Sequence, residues 1–214
     1  MSNKDSENQR EVKSIENWID GDMLFLREQD KIRIRGIPTA LSNEHPYVAL
    51  CGPRVDLLNY YFEYLYTSLK TNNSYQLEVF FSVTTDSLLE FYNKRLADIS
   101  VNAAKSSADE ELPRKILVIS DCSTMGKGEW DLLARLLIDF PGANCGLLVI
   151  CEEPFSSEID SFVKLLGSRL MQCHCNFPDS RELASFLDAS AMTPYHSHYK
   201  KKLAALGITG SDLD

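Results

Sequence analysis

Tyr47-Val-Ala-Leu-Cys-Gly-Pro-Arg-Val-Asp-Leu-Leu-Asn59 is the stretch that decides the fold. Its first five residues form an apolar run stopped by Gly52-Pro53, the pattern of a buried strand ending in a turn. Beyond the turn, Leu58, Tyr61, Phe62, Leu65 and Leu69 recur at helical spacing and make one face of an amphipathic helix. A buried strand, a short turn and a helix together form the repeating unit of an open parallel sheet.

The same alternation continues along the chain. Asn72, Asn73 and Ser74 break the first helix, and Tyr75 to Val83 reads as a second strand. Thr85 reads as a cap for a helix through Leu88, Leu89, Tyr92 and Leu96, and residues 105–111 read as a polar loop. Lys115 to Ser120 is the third strand, followed by a helix through Trp130, Leu133, Leu136, Leu137 and Phe140 that Pro141-Gly142 closes. Gly146 to Cys151 is the fourth strand, and its helix carries Ile159, Phe162, Val163 and Leu166. Leu170 to Cys175 is the fifth, with helical pieces near Arg181 to Leu187 and Tyr195 to Leu206. Apolar strands alternating with helices imply an α/β fold, a three-layer α/β/α sandwich around a parallel sheet.

Residues 1–11 are polar and expected to form a disordered tail. Residues 12–44 are expected to form a helical segment packed on the core, because Ile15, Trp18, Ile19, Leu24, Phe25 and Leu26 make it too apolar for a tail. The α/β core is assigned to residues 45–190, and residues 191–214 to a terminal helix and tail.

The chain of 214 residues carries a formal net charge of −9, which disfavours broad contact with phosphate backbones or anionic membranes. Its short basic patches, at Lys31, Arg33 and Arg35 and at Lys200 to Lys202, read as solvated helix faces. No apolar run approaches the ~20 residues of a membrane span, and the N-terminus lacks the shape of a signal peptide, so a cytoplasmic protein is expected. Its six cysteines read as reduced thiols, most of them lying in or beside apolar runs.

In an open parallel sheet, ligands bind beyond the C-terminal ends of the strands. A phosphate-binding loop reads G-x-x-x-x-G-K-[ST]: its amides wrap the phosphates, the Lys reaches them and the hydroxyl holds Mg²⁺. Counted from Gly52, the second Gly is Leu57, the Lys is Leu58 and the hydroxyl is Asn59. At the end of the third strand, where such an enzyme places an Asp for Mg²⁺ and a Glu to activate water, this chain has Ser120 and Asp121. Asp121 is read as a turn or cap residue. Gly126-Lys127-Gly128 lacks the spacing of a phosphate loop and reads as a flexible connection.

Val48-Ala-Leu-Cys-Gly-Pro53 before one helix and Ile116-Leu-Val-Ile-Ser-Asp121 before another resemble the AAA+ ATPases of the ExeA type and the related cytoplasmic domain of DamX. The turn of Cys151-Glu-Glu-Pro154, the arginine of Gly167-Ser-Arg169 and the ending Tyr199 to Gly207 extend the likeness. The resemblance implies a P-loop NTPase-like sheet of order 5-1-4-3-2. It also makes Arg169 the counterpart of an inter-subunit or sensor arginine, and Tyr199 to Gly207 the start of a lid. ATP hydrolysis is not carried over, because the lysine position holds Leu58.

Other chemistry finds little support. Along one strand Cys173 and Cys175 share a face and His174 points the other way, and no cysteine pair has the spacing of a structural zinc site. His196 and His198 do not share a helix face, and the remaining His45 and His174 suggest no hydrolytic triad. The first helix is unusually aromatic. Tyr60, Tyr64 and Tyr66 lie off its core face, which fits either a protein interface or a second layer of packing from the N-terminal segment.

The expected function is a non-catalytic, bacterial-type P-loop-like scaffold serving as a protein-interaction or regulatory module, with no cofactor. Its partner is expected to be another protein, with self-association into a homo-oligomer a further expectation. One alternative is a nucleotide binder, for ATP, GTP or a cyclic dinucleotide, with an atypical loop of Gly52, Pro53 and Arg54 and with Asp121 on Mg²⁺. The other is a DNA-associated regulator.

Overall fold

The computed structural model describes residues 23–42, 46–97, 99–106, 113–123 and 125–208. The tail and the apolar positions Ile15, Trp18 and Ile19 lie outside the described residues. Five strands, β1 (Tyr47–Gly52), β2 (Tyr75–Phe80), β3 (Arg114–Ile119), β4 (Cys145–Glu152) and β5 (Leu170–His174), form one sheet of order β2-β3-β4-β1-β5. Every neighbouring pair is parallel. Read from the other edge this is 5-1-4-3-2, the order expected, and the molecule is a P-loop NTPase-like sandwich.

Strand alternation divides the core into two layers. Tyr47, Ala49 and Cys51 of β1 join Leu117, Ile119, Leu147, Val149 and Cys151 on one face, under α3 (Thr85–Leu96), α5 (Lys127–Asp139) and α6 (Ser157–Leu166). Val48 and Leu50 join Ile116, Val118, Leu148 and Ile150 on the other, under α1 (Glu28–Ser42), α2 (Val55–Lys70), α7 (Ser180–Ala191) and α8 (His196–Ala205). The central strands β1 and β4 are buried almost throughout, and the edge strand β2 only in part.

The helix boundaries follow local chemistry. Thr84 caps α3, with Ser87 returning the bond, so the capping residue lies one position before the expected Thr85. Asp179 and Glu182 make the same reciprocal box at α7, and Ser156 caps α6. The second strand stops at Phe80, short of the expected Val83, which is buried in the connection to α3. A short helix, α4 (Val101–Lys105), starts from a Ser100 cap where no element is expected.

Among the described residues before the first strand, 28–42 form one helix, α1. In α1 the residues Asp30, Ile34, Ile37 and Leu41 share the buried face, and Pro38 lies inside the helix. Leu24, Phe25 and Leu26 precede that helix. None of the described helices is long and apolar enough to cross a membrane.

Candidate functional site: the closed turn after β1

The C-terminal rim of the sheet brings together the turn after β1, the turn after β4 and the end of β5. Gly52 O accepts the Glu153 amide at 2.8 Å, and Cys51 O accepts the Cys175 amide at 2.7 Å. Glu153 Oε1 lies 2.8 Å from His174 Nδ1, and Arg33 Nη1 donates to His174 O at 2.7 Å. The three strand ends are thereby stitched to one another and to α1. Glu153 and His174 are 21 positions apart, so no sequence motif announces their pairing. The adjacency of β4, β1 and β5 produces it.

A phosphate cradle needs a wide loop with free amides. Here α2 begins at Val55, three residues after Gly52, and the Leu58 amide already donates to Arg54 O at 3.3 Å. Leu57 and Leu58, at the positions of the cradle's second glycine and lysine, are fully buried. A Cβ at Gly52 would stand 2.8 Å from Cys175 O and 2.9 Å from Leu58 Cδ2. Gly52 therefore serves close packing against Cys175 O and the Leu58 side chain.

Arg54 has a structural task. Its Nη1 donates to Leu206 O at 2.9 Å, its Nη2 to Asp56 Oδ2 at 2.7 Å, and its guanidinium lies 5.8 Å from the centre of the Phe177 ring. Leu206 is the C-cap of α8. There Ile208 N donates to Leu203 O and Gly207 N to Ala204 O, each at 3.0 Å, and Gly207 has a φ of 72°. These two bonds with a left-handed glycine make a Schellman ending, which leaves a helix-end carbonyl for a cation to satisfy. Arg54 is that cation.

Of the remaining expected site residues, Ser120 and Asp121 follow β3 at the same C-terminal rim, and Arg169 does not. Ser120 N and Oγ both lie 3.5 Å from Phe80 O, and Asp121 Oδ1 accepts the Ser123 amide at 2.9 Å in a local turn. Arg169 ends the 3₁₀ turn that enters β5, and Leu170 pairs with Tyr47 at the start of β1. It therefore sits at the opposite end of the sheet from Gly52, so the expected sensor or inter-subunit arginine does not join Gly52, Pro53 and Arg54 in one nucleotide-binding site. Strand direction is the reason, because β5 leaves the residue before it at the N-terminal rim.

The aromatic interface is corrected in part. Tyr60 is buried, and its hydroxyl donates to Leu24 O at 2.5 Å, so the N-terminal segment covers it. Tyr64 is half-buried with its ring centre 5.1 Å from that of Phe25, edge to face, and the half-buried Tyr66 lies 5.9 Å from Phe62. The same segment is held by α8, where Tyr199 Oη accepts the Leu24 amide at 3.1 Å, and Lys202 pairs with Glu63 of α2 at 2.5 Å.

All six cysteines are free thiols and buried. Among the described residues, no group of three or more His, Cys, Asp and Glu side chains is placed to hold a metal ion. Burial drives the Cys51 thiol above its ordinary range, and that of Cys145 up to about 11.

No family model matches the chain, and no curated protein matches it. Among solved structures, a chain in the structure of Drosophila ORC bound to AT-rich DNA and Cdc6 is similar over 86% of this chain, with 13% identity and a TM-score of 0.44. The match covers 32% of that chain, so the present chain spans about a third of its length.

Proposed function

We propose that this chain is a non-catalytic P-loop-like scaffold, of AAA+ kinship with the ExeA type, that works as a protein-interaction or regulatory module. One observation carries the reading: α2 begins three residues after Gly52, which leaves no wide loop to wrap a phosphate, and Leu57 and Leu58 at the second-glycine and lysine positions are fully buried. Arg54, the cation nearest that turn in sequence, is bonded to Leu206 and Asp56. Asp121 accepts from its own turn. An anion recruited by Arg54 would have to compete with its bonds to Leu206 O and Asp56, and the buried Leu58 offers it no donor.

Thermal denaturation with and without millimolar ATP, ADP or GTP plus Mg²⁺ tests this. A ligand that binds only the native state raises the melting temperature. The scaffold reading expects the same melting temperature in every case. A rise with ATP that Arg54→Ala abolishes would replace it with nucleotide binding through an atypical loop.

A further inference from the structure

The loop that leaves β3 turns back over the end of β4 and sets one thiol against another. Cys122 Sγ lies 3.8 Å from Cys151 Sγ, and the Cys122 thiol is also 3.1 Å from Ile150 O. Cys151 is the second-last residue of β4, in register with Cys51 of β1, and all three cysteines belong to the same apolar layer. The two partners differ in access and freedom. Cys122 keeps 8% exposure on a loop, while Cys151 has 1% and is fixed in the ladder. Burial opposes ionisation of both thiols, and the difference in access makes Cys122 the sulfur that a small oxidant reaches first.

We propose that Cys122 and Cys151 form a peroxide-operated thiol–disulfide couple that pins the loop after β3 to the end of β4. The Cys122 thiolate attacks one oxygen of hydrogen peroxide. The O–O bond breaks, the departing hydroxide takes up a proton as water, and Cys122 becomes a sulfenic acid. Cys151 sulfur then attacks the Cys122 sulfur, its proton leaves with the hydroxyl as a second water, and the S–S bond forms. The two thiols lose two electrons and the peroxide gains them. A small oxidant suits a thiol with so little exposure. Bond formation needs the sulfurs to approach by about 1.8 Å, to the ~2.05 Å of a disulfide. Cys122 supplies that movement by giving up its contact with Ile150 O.

The test is peptide mapping of the reduced, folded full chain after exposure to hydrogen peroxide, digested without reductant. The expected result is a linked Cys122–Cys151 peptide, an intact mass lower by two hydrogens, and full reversal by dithiothreitol. In Cys151→Ala the sulfenic acid has no partner, so a sulfenate-specific dione labels Cys122, which stays unlabelled in the parent. The map of the parent chain stands even if that variant folds poorly. Three results would overturn the proposal: Cys122 carried on to sulfinic acid with no link, a link from Cys151 to Cys51, or Cys122 untouched in the folded chain.

Discussion

The guanidinium of Arg54 and the carbonyl of Leu206, 152 positions apart in the chain, are joined by a 2.9 Å hydrogen bond that ties the turn after β1 to the end of α8. A turn that in a nucleotide-binding protein faces an anion here faces the negative end of the chain's own helix.

Arg54→Ala should therefore act on stability. A hydrogen bond from a charged group contributes roughly 1.5–3 kcal/mol, and the 42% exposure of this side chain reduces it, so a loss of about 1 kcal/mol is expected. Chemical denaturation gives the number. Amide exchange in α8 should accelerate more than in α3, which Arg54 does not touch. Equal acceleration in both helices would mean that the bond has no local role.

Leu58→Lys restores the lysine of a phosphate-binding loop and is expected to restore no binding. The position is fully buried and the new ammonium would have no anion to meet, so a loss of about 4 kcal/mol follows. Denaturation curves and nucleotide titration of the same variant check both halves. A variant of parental stability that binds ATP would show that the loop rearranges freely.

Gly52→Ala adds one methyl where a backbone carbonyl stands at 2.8 Å and a leucine methyl at 2.9 Å. The leucine can yield, but Cys175 O is held in place by the strand-end bond of its own residue to Cys51, so the sheet end must shift. Overpacking of this kind costs about 2 kcal/mol, measured as a lower denaturation midpoint. Leu58→Ala in the Gly52→Ala background should not recover the loss, because the carbonyl contact persists.

Asp30 supplies a pH dependence. It is fully buried; Tyr61 donates to Oδ2 at 3.0 Å, while Oδ1 lacks a hydrogen-bond partner, with Arg27 Nη1 3.8 Å away. Burial raises its pKa above the ordinary 3.8, so the native state holds this proton more tightly than the unfolded state. The resulting contribution is complete below the unfolded pKa and is lost as pH rises through the folded one. Asp30→Asn removes that loss. The stability of the variant relative to the parent should climb as pH rises above the ordinary aspartate value of 3.8. Parallel curves across that range would show that Asp30 does not titrate there.

Much of the fold is legible because β1, β3 and β4 are short apolar runs that stop at Gly52, Ser120 and Glu152. Periodicity alone defines α2. The loss of the phosphate loop can also be read from Leu57, Leu58 and Asn59. The position of Arg169 was not legible, because its distance from Gly52 depends on the direction in which β5 enters the sheet. Tyr60 misled for a different reason. Its face of α2 looks outward within the strand–helix unit, and a segment before the first strand, whose Leu24 carbonyl it meets, covers it. The buried face of α1 escaped notice because Asp30 stands in a row otherwise made of Ile34, Ile37 and Leu41, and because Pro38 suggests a break.

The hydroxyl of Tyr199 holds the Leu24 amide, so the two ends of the described chain meet on the outer side of α2. A ribosome adds Leu24 to the chain 175 residues before Tyr199. While the strands are being made, Tyr60 and its neighbours lack the cover that Tyr199 and α8 supply, and that surface cannot close until α8 emerges. Chain order thus sets the earliest moment at which the face over α2 can be buried.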